Sequence, residues 1–91
     1  SLHYSPGIPL RMNVKKPNEE EAFVLIKKRK INSKNYFFLS KNNNLIKAAR
    51  NLYPLIRKIK NKGYKKIAVE KIPNIGIGQT INDRLERASK Y

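Results

Sequence analysis

The sequence predicts an α/β fold, a small Rossmann-like three-layer domain whose mainly parallel sheet has three to four strands with helices packed on it. Three observations predict it. A β-type run at Ile67–Val69 precedes a turn at Gly76–Gly78, which opens an amphipathic helix. A second helical pattern covers residues 44–61, and two short apolar runs before it are typical of strands.

Residues 1–20 contain three of the five prolines, so we expect an extended interdomain linker there, with a short strand around Leu10–Val14. Residues 21–91 form the predicted α/β domain. Glu21–Lys28 is apolar on both faces for five residues, which suits an interior strand, and Tyr36–Leu39 is an aromatic second strand. Because a short basic loop joins these two runs, parallel and antiparallel pairing both remain open, as does the strand order.

The first predicted helix begins after Asn44, an N-cap candidate, and Gly63 supplies its C-terminal stop. Its apolar positions recur every three or four residues, at Leu45, Ala49, Leu52, Ile56 and Ile59. Pro54 falls inside this helix and cannot donate to the carbonyl of Arg50, so a kink or a weakened turn is expected there.

The chain of 91 residues allows one small domain, and its formal net charge is +15. Clustered lysines and arginines gain affinity for nucleic acids by releasing phosphate counterions. A competing explanation is compositional: Lys, Asn and Ile, all with AT-rich codons, make up 37 of the residues, and the basic ones are spread along the chain. Cysteine is absent and the longest apolar run is five residues, which together predict a cytoplasmic protein without membrane contact.

Few residues could carry chemistry. His3 is the only histidine, and the six carboxylates are not placed in pairs for general acid–base work. No Ser–His–Asp set, metal-ligand cluster or phosphate-loop lysine motif is visible. The sequence therefore predicts no catalytic residue, no metal site and no cofactor within this chain.

Two short segments are candidates for binding. Gly76 and Gly78 could let backbone amides approach a phosphate, as in a nucleotide-binding Rossmann remnant. Because Ile81 replaces the third fingerprint glycine, a tight turn that packs the helix on the strand is the favoured explanation of the pair. In His3-Tyr4-Ser5-Pro6, the two rings could stack on a ligand and donate hydrogen bonds to it, or Tyr4 could pin the linker to a neighbouring surface. Arg11 could add a charge.

The segment from Ile67 to Ser89 resembles the end of the C-terminal accessory domain of the two-domain threonylcarbamoyl-adenylate synthases. That family has a similar strand, a Pro–X–X–Gly–X–Gly turn and a helix with Asn–Asp–Arg–Leu. The matching positions are Pro73, Gly76, Gly78, Asn82, Asp83, Arg84 and Leu85. Residues 48–57 are similar to the family's preceding helix, except for Pro54, and His3–Pro6 matches its His–Tyr–X–Pro linker motif.

The resemblance implies a part of a longer enzyme rather than a whole one. In such proteins an upstream YrdC-like domain, a nucleotidyltransferase, makes threonylcarbamoyl-AMP from threonine, bicarbonate and ATP, with ATP and Mg²⁺ bound there. Partner proteins then transfer the threonylcarbamoyl group to tRNA, so the contact with tRNA is indirect. The linker lies over the nucleotide cavity, which makes His3, Tyr4, Ser5 and Pro6 the expected lid contacts.

We therefore expect an accessory, lid-anchoring domain that is inactive alone and works with the upstream catalytic domain in the same protein. Pro73, Gly76, Gly78, Asn82, Asp83 and Arg84 are expected to form its structural turn and helix motif. The alternative is a free-standing basic RNA-binding module.

Overall fold

The computed structural model describes residues 7–30 and 33–89, and every structural statement below concerns that part of the chain. Four strands and two helices occur in the order β1 (Leu10–Arg11), β2 (Ala22–Leu25), β3 (Tyr36–Phe38), α1 (Leu45–Asn61), β4 (Ile67–Val69) and α2 (Ile77–Ala88). The strands form one sheet in the order β1-β4-β2-β3, and all three pairings are parallel. The predicted α/β class and parallel sheet are confirmed.

The parallel pairing of β2 with β3 answers the question that the short connection left open. The register places Phe23, Val24 and Leu25 opposite Tyr36, Phe37 and Phe38. After β2 the chain therefore runs back to the amino-terminal edge of the sheet before β3 begins, and the described residues of this connection contain no helix. Backbone hydrogen bonds extend the pairing past β3, because the amides of Leu39 and Ser40 donate to the carbonyls of Leu25 and Ile26 at 2.8 and 2.9 Å.

Both helices pack on the same face of the sheet. Alternate strand residues such as Val24 and Val69 join the buried residues of α1 and α2 in one large cluster. The opposite face carries a smaller cluster of Phe23, Leu25 and Ala68 with Val14. Because β2 is fully buried on both faces, its sequence shows a continuous apolar run rather than the alternation of a half-exposed strand.

Helix α1 has the ends that the sequence predicts. The side chain of Asn44 accepts a hydrogen bond from the amide of Lys47 at 3.1 Å, which satisfies one of the free donors of the first turn. At the other end Gly63 has φ +96°, and its amide donates to the carbonyl of Lys60 at 3.0 Å. The helix continues through Pro54, which is exposed.

Strand β1 lies within the segment that the sequence predicts to be a linker. Its boundary with the domain at residue 20 stays a prediction, but β1 pairs with β4, and Ile8, Leu10 and Val14 are buried. The described end of the linker is thus an edge strand of the sheet. No helix among the described residues has the length and apolar character needed to cross a membrane.

Candidate functional site

The connection between β4 and α2 contains the motif residues of the last third of the chain. Ile72 is buried, Pro73 and Gly76 are exposed, and α2 begins at Ile77. The side-chain amide of Asn82 donates to the carbonyl of Ile72 at 2.9 Å and to the side-chain oxygen of Asn74 at 3.3 Å. Asn82 therefore ties the first two turns of α2 to the loop that precedes them.

Glycine is required at each of residues 76 and 78 for a different physical reason. Gly76 has φ +55° and ψ −131°, a combination that residues with a side chain rarely adopt. Gly78 is buried in α2 so close to the loop that a Cβ there would overlap the carbonyl oxygen of Pro73 and lie 3.1 Å from its carbonyl carbon. The turn can close only because neither residue has a side chain.

Two amides at the start of α2 are engaged by carbonyls of the turn itself. Gly78 donates to the carbonyl of Ile75 at 3.0 Å, and Gln79 donates to the carbonyl of Gly76 at 3.1 Å. Ile81, at the position of a third fingerprint glycine, is a core residue with no exposed surface. This geometry leaves the two amides unavailable to a phosphate and favours the packing role of the glycines.

The remaining motif residues lie further along α2. Asp83 is exposed and Arg84 is half-buried. Neither side chain has a hydrogen bond or an ion pair to another residue in the described ranges. The structure therefore brings Pro73, Gly76, Gly78 and Asn82 together, whereas Asp83 and Arg84 stand apart from the turn.

The same turn exposes aliphatic side chains. Ile75 is 75% exposed and Ile77 is 39% exposed, beside the exposed ring of Pro73. They are two of the three large hydrophobic side chains that the described part of the chain leaves exposed, so they form a small apolar tip at the carboxyl end of β4.

The N-terminal segment is held along the opposite side of β4 from β2. The carbonyl of Pro9 accepts from the amide of Ile67, and the amide of Val14 donates to the carbonyl of Val69, both at 2.9 Å. These bonds bracket β1, and the side chains of Ile8 and Leu10 are buried in the main core. Backbone pairing and apolar burial together fix the chain from Ile8 onward.

Arg11 joins this anchor rather than remaining free as the extra charge that the sequence suggested. Its guanidinium makes two hydrogen bonds of 2.7 Å to the carboxylate of Glu21, whose side chain is 4% exposed. The amide of Asn18 donates to the same carboxylate at 2.8 Å. The bond from Arg11 lowers the pKa of Glu21, against the opposing effect of burial, and the Asn18 amide adds to the lowering.

The crevice at the carboxyl ends of β4 and β2 is occupied by a side chain of the protein itself. Glu70 accepts from the amide of Ile26 at 2.6 Å and from the guanidinium of Arg29 at 2.9 Å. Ligands of open α/β sheets bind at this end of the strands. The sequence did not predict these roles of Glu21 and Glu70. A pattern that could have indicated them is that each is a rare carboxylate directly next to a buried strand in a very basic chain.

His3, Tyr4, Ser5 and Pro6 lie outside the described residues, so their contacts remain predictions. Gly7 follows them directly and has φ +74°. No group of three or more His, Cys, Asp or Glu side chains within the described ranges could hold a metal ion.

The comparison with protein families decides the assignment. A model of the family "Threonylcarbamoyl-AMP synthase, C-terminal domain" matches residues 1–90. The chain belongs to this family. As a threonylcarbamoyl-AMP synthase C-terminal domain, it carries the Gly76–Gly78 turn and the β1 anchor described above.

A solved structure has the same fold. The crystal structure of P. abyssi Sua5 complexed with L-threonine superposes with a TM-score of 0.71 at 22% identity, over 98% of this chain. The chain spans about 30% of the length of that protein. No curated protein matches the sequence.

Proposed function

We propose that this chain is the accessory domain that anchors a lid segment of a cytoplasmic threonylcarbamoyl-AMP synthase. In the whole enzyme, a YrdC-like catalytic domain condenses threonine, bicarbonate and ATP, with Mg²⁺, into threonylcarbamoyl-AMP and pyrophosphate. The product then serves the modification of tRNA through other proteins. The enzyme is a nucleotidyltransferase, and the accessory domain has no activity of its own.

The observation that carries this proposal is the anchoring of the chain immediately after the His3–Pro6 motif. Within a few residues of the motif, Ile8 is buried and the carbonyl of Pro9 accepts from Ile67. Two hydrogen bonds from Arg11 to Glu21 then lock the neighbouring connection. A segment fixed at this end has little freedom, so closing it over a cavity costs less conformational entropy than closing a free linker.

The proposed lid acts by excluding water and by contact. Threonylcarbamoyl-AMP is a mixed anhydride that water destroys, so a closed segment protects it until transfer. The phenol of Tyr4 and the imidazole of His3 can each donate a hydrogen bond to a phosphate or carboxylate oxygen. Ser5 and Pro6 complete the proposed contact segment, Pro6 by restricting its backbone.

The test uses the full-length enzyme that contains this domain, with Tyr4→Ala and Tyr4→Phe variants. Tyr4→Ala should lower the rate of threonylcarbamoyl-AMP formation about three- to tenfold, as expected for the loss of a contact worth about 1 kcal/mol, or raise the fraction of intermediate released to water. Tyr4→Phe separates stacking from hydrogen bonding. Unchanged pyrophosphate release and unchanged retention of the intermediate in Tyr4→Ala would contradict the lid role.

A further inference from the structure

The carboxylates of this domain lie away from one of its lysine-bearing surfaces. Glu19, Glu20 and Glu21 lie in the connection between β1 and β2, Glu70 follows β4, and Asp83 and Glu86 are on α2. None of these six acids is on the side of α1 that faces the edge strand β3. That side, the α1–β3 face, is defined by Lys28, Lys34, Lys41, Lys47, Lys58 and Lys62.

One end of the α1–β3 face is a cleft at the carboxyl ends of β2 and β3, with a volume of about 430 Å³. Its lining includes Ser40, Asn51 and three lysines, which are Lys28, Lys41 and Lys47. The cleft has a defined shape, because the side chain of Asn51 donates to the carbonyl of Leu39 at 2.7 Å and the hydroxyl of Ser40 donates to the carbonyl of Ile26 at 2.9 Å.

The other end of the face lies where α1 stops. A second cleft of about 360 Å³ is lined by Lys34, Lys62, Gly63 and Tyr64. Lys34 and Tyr64 also line a neighbouring cavity that contains Glu19 and Glu20, so the acid-free surface ends there. The α1 residues at the first cleft, Lys47 and Asn51, lie about 16 to 23 Å along the helix axis from Lys62 at the second cleft.

Helix α1 runs between the two clefts and carries polar side chains toward each of them. A turn of 3.6 residues places Lys47, Lys58 and Lys62 on the same side as Asn51, whose bond to Leu39 fixes that side toward β3. Within the residues that the structure describes, no hydrogen bond or ion pair engages the ammonium groups of these lysines. Lys47 shares one cleft with Lys28 and Lys41, and Lys58 is four residues from Lys62, so like charges lie near one another at each end of the face.

We propose that the α1–β3 face binds RNA through the phosphate backbone. This inference goes beyond the lid function and does not depend on it. A chain of phosphates can contact both clefts at once, whereas the phosphates of one nucleotide cannot span the distance between them. At the end near Gly63, the half-buried ring of Tyr64 offers a surface on which a base can stack.

The face fits a nucleic acid better than an anionic membrane. Membrane-surface helices place large apolar side chains beside their lysines. The exposed large aliphatic side chain of α1 is Ile46, which is 54% exposed but lies about 100° around the helix from Lys47 and further from Asn51. The other two, Ile75 and Ile77, are in the β4–α2 turn.

The test is fluorescence anisotropy of the 91-residue chain with a fluorescein-labelled single-stranded U20 RNA at several salt concentrations. The face variant combines Lys28→Gln, Lys47→Gln and Lys58→Gln. The control variant has the same change of net charge away from the face, with Lys15→Gln, Lys71→Gln and Arg87→Gln. Far-UV circular dichroism checks that both variants are folded.

The face variant should bind RNA about tenfold more weakly or worse, and its log K against log salt slope should be shallower by about 2, since each neutralised phosphate contributes about 0.7. The control should lose less than about threefold. An equal loss in both variants would mean that only net charge matters and would overturn the proposal. So would displacement of the RNA by stoichiometric ATP, which indicates a nucleotide site, or lysine-dependent binding to phosphatidylserine vesicles at equal or higher affinity.

Discussion

Two regions of this small domain use polar groups in opposite ways. Around β1, β4 and the β4–α2 turn, polar groups are engaged internally: Arg11 with Glu21, and Asn82 with the carbonyl of Ile72. On the α1–β3 face, lysine ammonium groups have no protein partner within the described residues. The first region is committed to holding the fold, whereas the second remains available to a ligand.

This difference predicts where substitutions will be costly. Unfolding should be sensitive to small changes at the buried or hydrogen-bonded groups that hold this first region together. It should be nearly indifferent to changes on the lysine face, where side chains are solvated. Measurements of the free energy of unfolding test this difference between the two regions.

Gly78→Ala should have the largest effect. In a helix, replacing Gly by Ala normally stabilises by about 1 kcal/mol. Here the added methyl group would overlap the carbonyl oxygen of Pro73, which is backbone and cannot rotate away, so we expect a loss of about 3 kcal/mol in urea unfolding. Gln79→Ala, at an exposed neighbouring position of α2, is the control and should change stability by less than about 0.5 kcal/mol. A stabilised Gly78→Ala protein would contradict the tight packing of the turn.

The fold and the site differ in how far local sequence determines them. Ile67–Val69 was predicted as a strand and 44–61 as a helix because periodicity and caps are local signals, and both elements occur within one residue of those bounds. The parallel pairing of β2 with β3 was not predictable, because a short connection without a helical pattern is usual for antiparallel strands. Strand order likewise depends on contacts between residues far apart in the chain.

The roles of Glu21 and Glu70 also could not be predicted without the structure. Glu21 and Arg11 are ten residues apart, and Glu70 contacts the amide of Ile26 across 44 residues. No helical or strand periodicity brings such pairs together, so the sequence showed only that acids are rare. By contrast, the need for glycine at residues 76 and 78 could be anticipated from a strand–turn–helix pattern, although the identity of the clashing atom could not.

Glu21→Gln should have the next largest effect, a loss of about 2 kcal/mol near pH 7. The amide cannot accept both guanidinium bonds and the Asn18 bond, and the half-exposed position of Arg11 limits the cost below that of a fully buried pair. Glu20→Gln, exposed in the same connection, is the matched control.

The direction of the pKa shift of Glu21 predicts how this difference in stability changes with pH. Since the pKa of Glu21 is lowered in the folded state, its contribution is present above the ordinary Glu value of about 4.3 and is lost as pH falls through the lowered folded-state pKa. The stability difference between wild type and Glu21→Gln should therefore shrink on acidification below about pH 4.3. A difference that is constant down to pH 2 would mean that the carboxylate charge contributes nothing.

Lys47→Glu should have the smallest effect on stability, and one of the opposite sign. Lys47 is the third residue of α1, at its positive end, where a cation is unfavourable. A glutamate there can complete a capping box with Asn44, so the variant should be more stable by about 0.5 kcal/mol, with Lys47→Gln in between. Both variants should bind U20 RNA more weakly than wild type. A destabilisation greater than about 1 kcal/mol would show that Lys47 belongs to the packed part of the molecule. Increased stability with weakened RNA binding would instead show that this lysine costs the fold free energy and serves the ligand.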